Sequence, residues 1–124
     1  MTRGFYSGAM QLDIRGGSES ACEDERRQVE RRLLFALGRF AQHLGRVQVW
    51  LGDVNGPRGG VDKTCRIVAH VRGVGQVVIE DADAVLPAAV ARAAERAGRA
   101  VARALERERR LQNEVEVSTE RDRG

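Results

Sequence analysis

Apolar and polar residues alternate from Met10 to Arg15, with Met10, Leu12 and Ile14 on one side and Gln11, Asp13 and Arg15 on the other. Period-two alternation of this kind predicts a half-buried strand, and Gly16 and Gly17 end it. The period then lengthens. Val29, Leu33, Leu37, Phe40 and Leu44 recur at three- and four-residue steps, the apolar stripe of one long helix over Ser18 to Leu44. Glu19, Glu23, Asp24 and Glu25 crowd its start, where carboxylates favour the positive end of the helix dipole. Gly38 interrupts it at a cost of about 1 kcal/mol relative to alanine, and Gly45 is placed to stop it in a left-handed turn.

Alternation returns at Arg46 to Leu51, with Val47, Val49 and Leu51 inward, and ends in the turn-rich loop Gly52 to Gly60 (GDVNGPRGG). Lys63 to Arg72 is the clearest strand, opposing Cys65, Ile67, Ala69 and Val71 to Arg66, Val68, His70 and Arg72. Gly73 and Gly75 break it, and Gln76 to Glu80 forms a short last strand with Val77 and Ile79 inward. A second helix runs from about Leu86 to Arg109 on Leu86, Val90, Ala93, Ala97, Val101 and Ala104 or Leu105. The order β-α-β-β-β-α predicts an α+β two-layer sandwich, a four-stranded mixed sheet with two helices packed on one face. The strand-helix-strand unit requires a right-handed crossover between parallel strands. Residues 1–9 and 111–124 lack a useful period and read as a flexible N-terminal extension and a polar mobile tail, leaving 10–110 as one domain.

With 124 residues, 42% apolar and 31% charged, the chain suits a single globular domain. It has no apolar run of membrane-spanning length and no signal-peptide core, so a cytoplasmic location is expected. Cys22 and Cys65 are too few for a disulfide framework or a zinc site and read as ordinary thiols. The charge changes the picture more. Lys63 is the only lysine among 21 basic residues, and arginine's planar fork suits bidentate phosphate contact. A GC-rich genome would also raise the arginine content, so placement has to decide.

On the second helix Arg92, Arg96, Arg99, Arg103, Arg107 and Arg110 advance by steps of three and four, which puts all six within roughly 80° of arc. A solvated helix face usually mixes signs, because like charges at i,i+4 repel. Stacked like charges call for an anion, and a nucleic-acid phosphate track answers that need. Six such contacts would weaken binding on the order of a thousandfold between about 50 and 200 mM salt. Arg58 and Lys63, in and beside the glycine-rich loop, are further phosphate candidates. Trp50, Val68 and Val78 form a small apolar group on the open sheet face, a candidate protein contact.

Catalytic constellations are missing. Neither His43 nor His70 has a partner by spacing, and there is no phosphate-cradling glycine motif, metal-ligand cluster or nucleophile elbow. No enzyme, cofactor, metal or small-molecule substrate is expected.

The stretches MQLDIRG (Met10 to Gly16), GRVQVWL (Gly45 to Leu51), GGVDKTCRIVAHVRG (Gly59 to Gly73) and LPAAVARAAERAGRAVARAL (Leu86 to Leu105), in this order, carry a resemblance. Over about Met10 to Arg107 the chain resembles the hibernation-promoting factor / ribosome-associated inhibitor A family, in a short form without the extra C-terminal domain. The resemblance implies a ribosome-binding domain at 10–110 whose partners are the small ribosomal subunit and its rRNA. It would sit in the decoding region, occlude the mRNA and tRNA sites, and so inhibit translation and keep idle ribosomes in hibernation. Family basic positions on the second helix match Arg96, Arg99 and Arg103, while first-helix lysines of relatives fall on Leu33 and Ala36, with Arg31, Arg32 and Arg39 nearby. An acid that relatives carry just before the second helix is Val85 here, leaving Asp83 as the capping candidate. Two other readings stand beside this one. A general double-stranded-RNA-binding domain shares the sheet and helices but lacks the Met10 to Arg15 strand. A protein-interaction module would form a weak homodimer through the open sheet face.

Overall fold

The computed structural model describes residues 2–6, 10–16, 23–53 and 63–123. Strands β1 (Thr2–Tyr6) and β2 (Met10–Gly16) precede helix α1 (Glu23–Leu37), which tightens into a 3-10 segment (Gly38–His43). Strands β3 (Leu44–Asp53), β4 (Lys63–Val71) and β5 (Gly75–Asp83) follow, and helix α2 (Leu86–Arg123) closes the chain. The sheet order is β1-β2-β3-β4-β5. β2 and β3 are parallel, with Leu12 opposite Val47 and Ile14 opposite Val49, and every other pair is antiparallel. The predicted α+β sandwich is there, with the crossover joining parallel strands.

Burial follows the two periods. Met10, Leu12 and Ile14, then Val47, Val49 and Leu51, then Cys65, Ile67, Ala69 and Val71 turn one sheet face into the core. Val29, Leu33 and Leu37 from α1 and Val90, Ala93, Ala97 and Val101 from α2 cover it. The alanines of α2 allow close approach, and so does Gly98: a Cβ there would lie 3.0 Å from the carbonyl oxygen of Ala36 on α1.

Four local readings are corrected. A fifth strand, β1, pairs antiparallel with β2 where an extension without structure was expected. The α-helix of the first helical region ends at Leu37, so Gly38 marks a change of helix type rather than a tolerated interruption; the expected start at Ser18 lies outside the described residues. Gly45 is not a left-handed stop, because β3 already begins at Leu44 and its pairing with β4 shifts register between Leu44 and Val47. Helix α2 continues through Arg123, beyond the end read from its apolar stripe. The apolar period fails after Leu105 because the helix is largely exposed there, Leu111 and Val115 included, so burial imposes no stripe, but Glu, Arg, Leu and Gln are good helix formers without one. Gly73 and Gly75 do turn the chain between β4 and β5, both at positive φ.

Asp13, expected on the solvent side of β2, is fully buried. Arg46 Nε lies 3.7 Å from its Oδ2, and Gln11 Nε2 donates to the carboxylate at 3.5 Å.

Candidate nucleic-acid interface

Helix α2 lies across β4 and β5 and runs antiparallel to β5, so its arginines meet that strand in reverse order. At the helix start, Arg92 donates to the carbonyl of Ala82 at 2.7 Å and to Oδ2 of Asp83 at 2.8 Å, with its Nε 3.4 Å from Asp81. One turn on, Arg96 donates to the carbonyl of Glu80 at 3.0 Å and to Asp81 at 3.2 Å. The anion that answers the first third of the stripe is therefore the chain's own. The signal was the acidic run Glu80, Asp81, Asp83 just ahead of the helix, legible as charge but not as a partner until the sheet register placed it.

These contacts shift the groups involved. Burial alone would raise the Asp81 carboxyl, but the Ala82 N–H and the two guanidiniums outweigh it and hold the group below its ordinary value. The Val85 N–H, then Arg92, lower Asp83 as well, and Arg92 is raised in return, first through its hydrogen bond to Asp83. Asp83 thus forms a turn leading into α2, accepting from Val85 N–H at 3.1 Å. Carboxyls lowered in the folded state add stability above the ordinary carboxylate range, near 4, and that stability is lost as pH falls through the folded values. The Asp81→Asn/Asp83→Asn variant is therefore expected to lose less melting temperature than wild type between about pH 5 and pH 3. Parallel losses in the two proteins would mean that the pairs add nothing.

Farther along, the arrangement changes. Among the described residues, Arg99 and Arg110 make only exposed i,i+4 pairs, with Glu95 at 3.4 Å and Glu106 at 2.9 Å, contacts worth a few tenths of a kcal/mol. Arg103 and Arg107 are exposed and have no ion-pair partner among the described residues. With Arg110 and its ion-pair partner Glu106 they line an open groove of about 650 Å³ between α2 and residues Gln76 to Ile79 of β5. The uncompensated charge is concentrated at Arg103 and Arg107, in the second half of the stripe.

The other sequence candidates lie elsewhere. Lys63 pairs with Asp53 across β3 and β4 and faces Asp83 in the register, at the far end of β5 from the groove. Arg58 falls outside the described residues. On the open sheet face Val68 is only 7% exposed and Val78 50%, while the guanidinium of Arg66 stands 6.0 Å over the Trp50 ring; Trp50, Val68 and Val78 therefore do not form an open apolar patch. Cys65 is buried, and burial with the nearby Asp81 charge pushes its thiol up to about 12, so it is unreactive at neutral pH. Leu33, which the family resemblance aligned with a basic position, is in the core, whereas Arg31 and Arg32 are exposed. Sequence reading missed Phe35 beside them, whose ring is 87% exposed on α1.

No family model matches the chain, and no curated protein matches it in sequence. Solved structures do. The N-terminal domain of Protein Y from Thermus thermophilus is similar at 28% identity and a TM-score of 0.56, over 74% of this chain and 92% of that one. A ribosomal subunit interface protein from Coxiella burnetii shares the fold at 10% identity and a TM-score of 0.57, over 77% of this chain and 94% of that one. The resemblance read from the sequence is thus borne out: the structural neighbours of this chain are of the hibernation-promoting factor / ribosome-associated inhibitor A family.

Proposed function

We propose that the protein is a ribosome-associated hibernation and translation-inhibition factor that binds small-subunit rRNA in the decoding region and occludes the mRNA and tRNA sites. The observation that carries this reading is the groove beside β5, where Arg103 and Arg107 stand uncompensated between Arg99 and Arg110 on one rigid helix. Guanidiniums at that spacing meet successive phosphates along a backbone, each contact releasing a condensed counterion. The similarity to Protein Y and to a ribosomal subunit interface protein supports the ribosome as the source of that RNA. No chemistry is asked of the chain: a rigid α+β body held over the mRNA path inhibits by filling it. The partial cover on the open sheet face favours RNA over a homodimer through Trp50 and Val78.

Because Arg92 and Arg96 are held by β5, four arginines rather than six are available to phosphates. Affinity for small subunits is accordingly expected to fall on the order of a hundredfold between about 50 and 200 mM salt, less steeply than six contacts would give. Co-sedimentation of the purified protein with small subunits across that range reads the slope and the stoichiometry, expected near one copy per subunit. Absence of binding at the lowest salt would overturn the proposal.

A further inference from the structure

The exposed ring of Phe35 does not stand alone. It forms one wall of a second groove, of about 430 Å³, on the opposite flank of α2 from the arginine groove. Its floor is Val29 and Val90, both buried, Leu86 and Pro87 at the start of α2 form the far wall, and Glu25, Gln28, Arg31 and Arg32 supply its polar lining, one carboxylate against two guanidiniums. That volume lies within the roughly 300–1,000 Å³ range of small-ligand sites. Arg31 and Arg32 stand one turn before Phe35, at i−4 and i−3, so their side chains leave the helix on either side of it and line the same groove. Neither makes an ion pair with a described residue.

A single exposed phenylalanine needs no explanation. Here, however, an exposed aromatic ring, an apolar slot and two unanswered arginines coincide. Charge selects the occupant. A second copy would bring Arg31 and Arg32 against their own counterparts, so the groove asks for something both flat and anionic. A nucleotide satisfies both demands, its base stacking on the ring and its phosphate meeting a guanidinium, the combination by which single-stranded nucleic acids are held.

We infer that the groove between α1 and the start of α2 takes an unstacked RNA base on Phe35, with Arg31 and Arg32 on its phosphates. This rests on the RNA reading above but places a second contact, of different chemistry, across the helix from the phosphate track. One helix would then read backbone on one flank and a splayed base on the other.

The probes are an adenosine hexaribonucleotide, the same chain with abasic sugars, and purified small subunits. Wild type is expected to bind the hexanucleotide roughly 5- to 150-fold more tightly than the abasic chain, the range of one base–aromatic stack. Phe35→Ala should abolish that preference and weaken subunit binding by a similar factor without changing its salt slope, while Phe35→Trp should preserve both. Since the ring is exposed, Phe35→Ala should melt like wild type, and a melting curve checks this. Equal wild-type affinity for the two chains, or unchanged subunit binding by Phe35→Ala, would overturn the inference while leaving the ribosome reading in place. Base-dependent hexanucleotide binding without subunit binding would uphold the inference and overturn that reading instead. A Phe35→Ala loss seen on intact subunits but not on protein-free rRNA would assign the groove to an apolar segment of a ribosomal protein and overturn the base reading.

Discussion

Glutamate at Arg103 and Arg107 is expected to weaken binding to small subunits on the order of a hundredfold at about 100 mM salt. The estimate follows from removing two phosphate contacts; the reversed charges add repulsion to it. The same variant should lower the slope of log affinity against log salt by about two, a signature that general damage to the fold would not give. Both side chains are exposed and have no ion-pair partner among the described residues, so the melting temperature should be unchanged. Arg96 is a poorer choice although the family resemblance highlights it. A glutamate there would face Asp81 and the Glu80 carbonyl, which Arg96 now satisfies, and lost binding could then be lost folding. A double variant that sediments with subunits as wild type does would remove the groove from the binding surface.

The second large effect concerns the fold that holds α2 in place. Gly16 ends β2 at φ 83°, and a Cβ on it would lie 2.2 Å from the backbone carbonyl oxygen of Leu51 in the neighbouring parallel strand. Gly73 has a similar φ of 75° but open space around it. Comparing Gly16→Ala with Gly73→Ala therefore separates conformational strain from collision. Gly73→Ala should cost about 1–2 kcal/mol, the left-handed penalty alone. Gly16→Ala should cost about 3–5 kcal/mol, because a backbone carbonyl has no rotamer into which to retreat and the β2–β3 pair must shift. For a domain of this size the latter corresponds to a drop in melting temperature of roughly 10–20 °C. Equal losses in the two variants would show that the strand pair yields at little cost.

The parts of this molecule legible in its sequence are those governed by a period. Alternation at Met10, Leu12 and Ile14 and at Cys65, Ile67, Ala69 and Val71 marked core strands because one-sided burial imposes a period of two. The three-four spacing of Val90, Ala93, Ala97 and Val101 marked the seat of α2, and the same arithmetic put six arginines on one side of it. What the period could not supply was the neighbour across space. Nothing local pairs Arg92 with Asp81 and Asp83; the β4–β5 register and the antiparallel course of α2 do. Phe35 escaped for the converse reason: it sits off the apolar stripe of α1, and its groove exists only once Leu86 and Pro87 are brought alongside. The strand at Thr2–Tyr6 carries no alternation to read, since backbone pairing with β2 requires none.

The contacts that hold Arg92 and Arg96 against β5 also bear on the edge of the sheet. β5 borders the sheet opposite β1, and a bare border strand is a template on which another chain's strand can grow. Carbonyls on the outer side of a strand recur at every second residue, and those of Glu80 and Ala82 are occupied by guanidiniums reaching down from α2. An incoming strand would have to displace two charge-assisted hydrogen bonds before it could extend past Val78. The first two arginines of α2 thus close the Glu80–Ala82 stretch of that border to strand addition.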